Sequence, residues 1–318
     1  MEYIEVSSKP PKDSTAISLV IGKFDGVHSG HAKLLQKVRE YMDCTLAVMS
    51  FSDHPNWILK NDVDFQKSLT PLDHKMELLK LFGVERYYNI QFTKQFAQIS
   101  AKEFVMEHLS RLNIKHIVVG EGFHLGKGRE SDTNDLINLC QQIEVPVTVI
   151  PLVKANDVKI SSTTIRTMIR DGQVEVAQAL LGRPYSVIGS VIHGKALGRT
   201  LGFPTINLSG VLEQYVLPKP GIYLGVADIY NDGSPNMQKN TLISAGYRPT
   251  VDGESYSIEA YLLDFSGDLY GETVELMFHR YLRPELQFSG LDQLVEQMKL
   301  DKLYAQTYFE TSNNNRKG

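Results

Sequence analysis

The polarity pattern of the chain changes rhythm near residue 183. Before that point, short apolar runs at 17–21, 45–50 (TLAVMS), 86–90 (RYYNI), 116–119 (HIVV) and 146–150 (PVTVI) alternate with segments of helical apolar spacing at 32–42, 72–82, 101–112 and 133–142. Apolar strands separated by amphipathic helices predict an α/β unit, a doubly wound parallel sheet covered on both faces. Residues 161–181 read as two short helices, one opening on SSTT and stopping at Gly172, the next stopping at Gly182. Strand-like runs then follow at 185–192, 222–230, 241–247, 257–264 and 273–281, with Gly, Pro, Asn and Asp between them and no long helix. Such spacing predicts an antiparallel sheet or small barrel, closed by a helix over about 291–309. The expected domains are 1–182, including the helical linker, and 183–318.

In open parallel sheets, ligands bind beyond the carboxyl ends of the strands. The stretch FDGVHSGH, 24–31, leaves the first run at that end and enters a helix expected to begin near residue 31. His28 and His31 admit three readings there. They are plain histidines at a helix start, metal ligands joined by Asp25 or His54, or part of a phosphate site. In the last reading the unpaired N–H groups of the helix face the anion, and Gly26 and Gly30 let the backbone come close. The segment SSTTIR, 161–166, supports the phosphate reading. A simple cap accounts for one hydroxyl. It does not account for Ser161, Ser162 and Thr163 in succession with Arg166 one turn further on.

A second group of residues lies past the change of rhythm. The stretch GSVIHGKALGRTLGFPTINL, 189–208, holds glycines 189, 194, 198 and 202 with Lys195 and Arg199. Its glycines alone fit a hairpin in a small barrel. Thr205 and Asn207, two apart in an extended segment, point to one face, and their oxygens are hard donors suited to Mg²⁺. Further on, SIEAYLLDF, 257–265, alternates and puts Glu259 on a face with Tyr261 and Leu263, as a rim carboxylate or a general base.

Composition narrows the classes. The 318 residues are 42% hydrophobic and 22% charged, which is ordinary for a globular chain that buries its own core. Cys44 and Cys140 are the only cysteines, so a disulfide framework is not expected and a reducing, cytoplasmic compartment fits. No apolar run approaches a membrane span, and the polar start MEYIEVSSKPPKDS has no leader pattern. A net charge of −4 argues against nucleic acid as a partner. Small-molecule substrates and a monomer or weak homo-oligomer are expected.

Taken together, GKFDGVHSGH and ISSTTIR resemble the signatures of bacterial FMN adenylyltransferases, which have a Rossmann-like nucleotidyltransferase fold. The resemblance implies ATP contacts at Gly22, Phe24, Asp25, Gly26, His28, His31, Ser161, Ser162, Thr163 and Arg166. It implies attack of the FMN phosphate on the α-phosphorus of ATP, giving FAD and pyrophosphate. Two stretches depart from the pattern. GEGFHLGKGR, 120–129, has Gly122 where a polar side chain usually stands and Leu125 in place of an aromatic, and FSDHP, 51–55, keeps His54 and Pro55. The later segments GFPTIN, GYRPT, SIEAYLLDF, DLYG and YLRPELQF resemble riboflavin kinase. They imply a six-stranded Greek-key barrel that binds MgATP and riboflavin. In it Thr205 and Asn207 hold Mg²⁺ and phosphate, Glu259 acts as base, and Arg283 shapes the flavin side. The loop with Gly194, Lys195, Gly198, Arg199, Gly202 and Pro204 lies over the ATP phosphates. In this order the motifs resemble the bifunctional riboflavin kinase/FAD synthetase family. The alternatives are a riboflavin kinase with a silent first domain, suggested by Gly122, and a flavin-binding regulator.

Overall fold

The computed structural model describes residues 1–41, 44–151, 153–155, 158–194, 197–231, 233–250 and 253–315. The chain divides into two compact units, Met1–Thr164 and Ile165–Gly318.

The first unit runs β1 (Glu2–Val6), β2 (Asp13–Ile21), α1 (Ser29–Val38), β3 (Thr45–Phe51), α2 (Pro55–Lys60), α3 (Leu72–Leu81), β4 (Arg86–Ile90), α4 (Ala101–Glu103), β5 (Leu112–Gly120), α5 (Thr133–Gln141) and β6 (Val147–Ile150), then the short pair β7 (Lys154–Ala155) and β8 (Val158–Lys159). Six strands form one parallel sheet in the order β1-β4-β3-β2-β5-β6. Successive residues of β2 go to opposite faces. Ile17, Leu19 and Ile21 enter one core with Phe104, Leu109 and Leu136. Val20 enters the other with Leu34, Leu35 and Leu79. From β2 the chain moves outward through β3 and β4, then returns to place β5 on the other side of β2. The strand order thus reverses between β2 and β5, where loops diverge and leave a crevice.

Two local features differ from the sequence reading. Strand β1 was not expected, because its apolar residues are few. It exists through the hydrogen-bond ladder that β4 supplies, Tyr3 pairing Tyr87 and Val6 pairing Ile90. The helix expected over 101–112 is not uniform. After α4 it widens to π winding over Phe104–His108 and tightens over Leu109–Arg111, and this lets Phe104, Val105, His108 and Leu109 all be buried.

A helix α6 (Ser162–Arg170) spans the division between the units. The second unit continues with α7 (Val174–Leu181), β9 (Tyr185–Ile192), α8 (Leu197–Thr200), β10 (Thr205–Leu208), β11 (Gly221–Asn231), β12 (Ser234–Thr250), β13 (Gly253–Leu262), β14 (Thr273–Arg283) and α9 (Leu291–Asn315). Its six strands close into an antiparallel barrel in the order β10-β13-β12-β11-β14-β9. Strand β10 is only four residues long, and its pairing with both β13 and β9 completes the closure. Ile243, Ala245, Ile258, Ala260, Leu276 and Phe278 are fully buried inside. The hydroxyls of Tyr185, Tyr223, Tyr256 and Tyr281 donate to the carbonyls of Val216, Lys219, Pro218 and Pro220, fastening that segment to the barrel. Helix α9 lays Ala305 and Phe309 on Leu224, Leu242 and Leu263.

Candidate active sites of the two units

In the first unit, the loop after β2 is built from unusual backbone. Phe24 and Val27 have positive φ (52° and 39°), a conformation that non-glycine residues hold only where the surroundings over-determine it, while Gly26 between them takes φ 85° freely. The restraints are visible. Asp25 Oδ1 accepts from the Leu69 amide at 2.7 Å, and the Gly26 amide donates to Thr70 Oγ1 at 2.9 Å. Ser162 Oγ donates to the Asp25 carbonyl at 2.8 Å, so the two motif segments meet although 137 residues separate them. Phe24 is fully buried in the core, which leaves only its backbone for a ligand. Gly22 lies directly against that ring.

The following helix begins at Ser29, not near residue 31, because His28 serves as its cap: its Nδ1 accepts from the His31 amide at 3.3 Å. That bond fixes the tautomer with the proton on Nε2. The rings of His28 and His31 stack with centroids 3.6 Å apart. A Cβ on Gly30 would stand 3.1 Å from the His28 ring, so glycine there lets the ring lie on the helix start. At α6, Ser161 Oγ accepts from the Thr164 amide at 3.2 Å as a cap, Ser162 is held by Asp25, and Thr163 is exposed. Arg166 follows one turn on and is buried. In the loop after β5, His124 Nδ1 lies 3.1 Å from both the Gly122 carbonyl and Arg129 Nη2. Leu125 is buried in the core, so that exchange concerns packing.

In the second unit, β10 and β13 bring three oxygen-bearing side chains to one face. Asn207 pairs directly with Glu259 across the strands. Thr205 Oγ1 donates to Glu259 Oε2 at 3.2 Å. Gly194 lies so close to the Asn207 amide that a Cβ would be 2.4 Å from its Nδ2. Gly198 accepts from the Phe203 and Leu201 amides, Gly202 takes φ 83°, and together they fold 198–203 into a tight turn before Pro204. Arg199 Nη2 lies 3.4 Å from the Tyr270 hydroxyl, and His193 stacks on Tyr270 at 3.7 Å. Lys195 lies outside the described residues.

Sequence reasoning gave no role to Arg248, although GYRPT was noted. Its Nε stands 4.0 Å from Glu259 Oε1, Nη1 pairs with Glu285, and Nη2 donates to Ser244 Oγ at 2.9 Å. Period-two alternation along β12 signals it, since Ser244 and Arg248 share a face and Ser244 pairs with Glu259. Arg283, expected on the flavin side, grips Asp301 of α9, with Nη2 at 2.6 Å and Nε at 3.0 Å, and Gln297 joins the same carboxylate. Asp301 is 6% exposed and the Arg283 side chain 17%, so truncating either leaves the other's charge unpaired and mostly shielded from water. Arg283→Ala or Asp301→Ala is expected to cost about 3 kcal/mol. The double replacement Arg283→Met with Asp301→Leu should cost clearly less than the sum of the single changes. Urea titrations of the three variants provide the check.

A parallel sheet with a phosphate-type loop at its switch point, followed by a closed barrel with a hydroxyl, an amide and a carboxylate on one rim, defines the class: a two-unit nucleotide-handling enzyme. Comparison with known proteins narrows it. The FAD synthetase family model matches residues 10–164, and the riboflavin kinase family model matches 181–309. The chain belongs to the family of bifunctional riboflavin kinase/FMN adenylyltransferases. It is 37% identical to the member from Listeria monocytogenes over 92% of each chain. It is 35% identical to that of Bacillus subtilis, again over 92% of each. A solved structure from Streptococcus pneumoniae, described as a macrolide-efflux protein, matches with a TM-score of 0.86 and 33% identity, covering 96% of this chain and 98% of its own. Among the described residues of this chain no helix is long and apolar enough to cross a membrane.

Proposed function

We propose that the chain makes FMN from riboflavin and ATP in its second unit and converts FMN to FAD in its first, with the residues above in specific roles. One observation carries the reading. In each unit, motif segments far apart in sequence touch, Ser162 on Asp25 and Thr205 on Glu259.

In the kinase half, Glu259 accepts the proton of the ribityl 5′-hydroxyl as its oxygen attacks the γ-phosphorus, and ADP leaves. Thr205 Oγ1 and Asn207 Oδ1 suit Mg²⁺, a hard cation that takes oxygen ligands and keeps several waters. Phosphate oxygens and water would complete the shell. When bound, the ion would neutralise charge on the transferred phosphate. Gly194, Lys195, Gly198, Arg199, Gly202 and Pro204 cover the ATP phosphates.

In the adenylyl-transfer half, an FMN phosphate oxygen attacks the α-phosphorus of ATP and pyrophosphate leaves. The nucleophile is already an anion, so no base is needed, and positioning with charge stabilisation carries the rate. The His28 Nε2–H, His31, Thr163 and Arg166 are the donors for the ATP phosphates. The working division of activities is 1–182 and 183–318, the second starting where α7 has ended at Gly182. The enzyme works in the cytoplasm on small molecules without nucleic acid, as a monomer or weak homo-oligomer. Burial pushes the Cys140 thiol up to about 11, which suits an inert core residue.

The test is chromatography of flavins after incubation of the purified protein with MgATP, once with riboflavin and once with FMN. FAD is expected in both. FMN from riboflavin without any FAD would leave a kinase whose first unit is silent, in line with Gly122.

A further inference from the structure

Lys75 stands in the first turn of α3 and is 8% exposed. A buried ammonium is costly unless an anion pairs with it. The positive end of the helix dipole lies in the same turn and adds to the cost. Among the described residues, no carboxylate pairs with this ammonium. Its side-chain hydrogen bond goes to the carbonyl oxygen of Lys23, at 3.5 Å, which is long for N–H···O. That carbonyl is served without it, because Ser50 Oγ donates to it at 2.9 Å. The fold therefore gains little from the charge. Its place is more telling. Lys23 follows β2 at the carboxyl end and leads into the loop 24–28. Leu69 and Thr70, just ahead of α3, hold Asp25 and Gly26 of that loop. Lys75 thus sets a positive charge at the start of the phosphate-type loop, at the end of the sheet where ligands bind.

We propose that Lys75 binds a phosphate oxygen of the reactants in adenylyl transfer. The proposal rests on the reading of the first unit as the adenylyl-transfer half. An ammonium has three N–H donors, and the Lys23 carbonyl engages one of them weakly. An anionic phosphate oxygen accepts another in a charge-assisted hydrogen bond and supplies the countercharge. Both reactants carry such oxygens, FMN in its monoester and ATP in its triphosphate. Helices α1 and α3 cover the same face of the sheet, where Leu34 and Leu35 of one and Leu79 of the other share a core with Val20. His28 and His31 offer donors from the start of α1, and Lys75 adds one from the start of α3.

The experiment compares Lys75→Met with the parent in two ways: thermal melts without ligand, and initial rates of FAD formation with FMN and ATP varied in turn. Methionine is a long, flexible, apolar replacement that removes the charge. Without ligand the variant should melt at or above the parent temperature, because a buried charge without a counterion is gone. FAD formation should nevertheless fall roughly ten- to a hundredfold in kcat/KM, the scale of one charge-assisted hydrogen bond. Riboflavin phosphorylation should be unchanged. The parameter that moves names the phosphate. A rise in KM for FMN assigns Lys75 to the acceptor, a rise in KM for ATP to the triphosphate, and a fall in kcat alone to charge that develops in the transition state. FAD formation at the parent rate overturns the proposal. So does a lower melting temperature accompanying the lost activity, which would make Lys75 an anchor of the loop. If the parent protein forms no FAD, the adenylyl-transfer reading fails and the proposal falls with it. If the parent forms FAD and the variant keeps its rate, the assignment of Lys75 alone fails.

Discussion

Replacing Glu259 by glutamine is expected to lower FMN formation by about 10²- to 10⁴-fold, the range that general-base catalysis contributes, while FAD formation from supplied FMN persists. The side chain is well placed for the role. Its Oε2 accepts from Thr205 Oγ1 and its Oε1 stands 4.0 Å from Arg248 Nε, so neighbours on two strands restrain the carboxylate. Glutamine keeps the size and one acceptor oxygen. It cannot take a proton from a hydroxyl. The deficit should therefore fall on kcat more than on KM for riboflavin. Parent-like turnover in Glu259→Gln would remove the base from the mechanism and leave positioning and charge to carry phosphoryl transfer. Thermal melts of the variant should match the parent, because Glu259 is a rim residue outside the barrel core, where Ile258 and Ala260 point inward.

Removing the imidazole of His28 should have the second large effect, on the other activity. His28→Ala is expected to reduce FAD formation about 10²- to 10³-fold, the usual loss for one preorganised donor, and to leave FMN formation intact. Alanine also removes the cap of α1, worth about 1 kcal/mol, so stability falls as well. His28→Asn separates the two effects. Asparagine caps the helix but carries no group in the place of Nε2, so its stability should return towards the parent value while FAD formation stays low. A variant that recovers both would reduce His28 to a capping residue. A parallel loss of both activities in His28→Asn would argue against separate sites.

Much of this was legible before the structure. The apolar runs at 45–50, 86–90 and 185–192 became β3, β4 and β9 with nearly the same ends. Gly172 and Gly182 end α6 and α7 in left-handed conformation, as glycines after a helical pattern should. The oxygen set at Thr205, Asn207 and Glu259 followed from alternation and resemblance, and strand pairing joins it. Other parts were not legible. Strand β1 carries too little pattern of its own and depends on a partner remote in sequence. The roles of charged side chains were harder still. Asp25 and Arg283 also serve the fold, which their sequence context does not signal: one holds the Leu69 amide and the other ties α9 to the barrel.

The sequence by itself determined the local elements, the change of architecture between the halves and the positions of the motifs. Those depend on periods of 3.6 and 2 residues, on caps and on turn residues, all set within a few positions. Only the tertiary structure decided that β1 joins β4 and that β10 closes the barrel. It alone decided which polar groups are committed to hydrogen bonds within the fold. Those choices follow from contacts between segments up to 137 residues apart. There, burial and hydrogen-bond geometry select one partner among several that the same side chains could chemically accept.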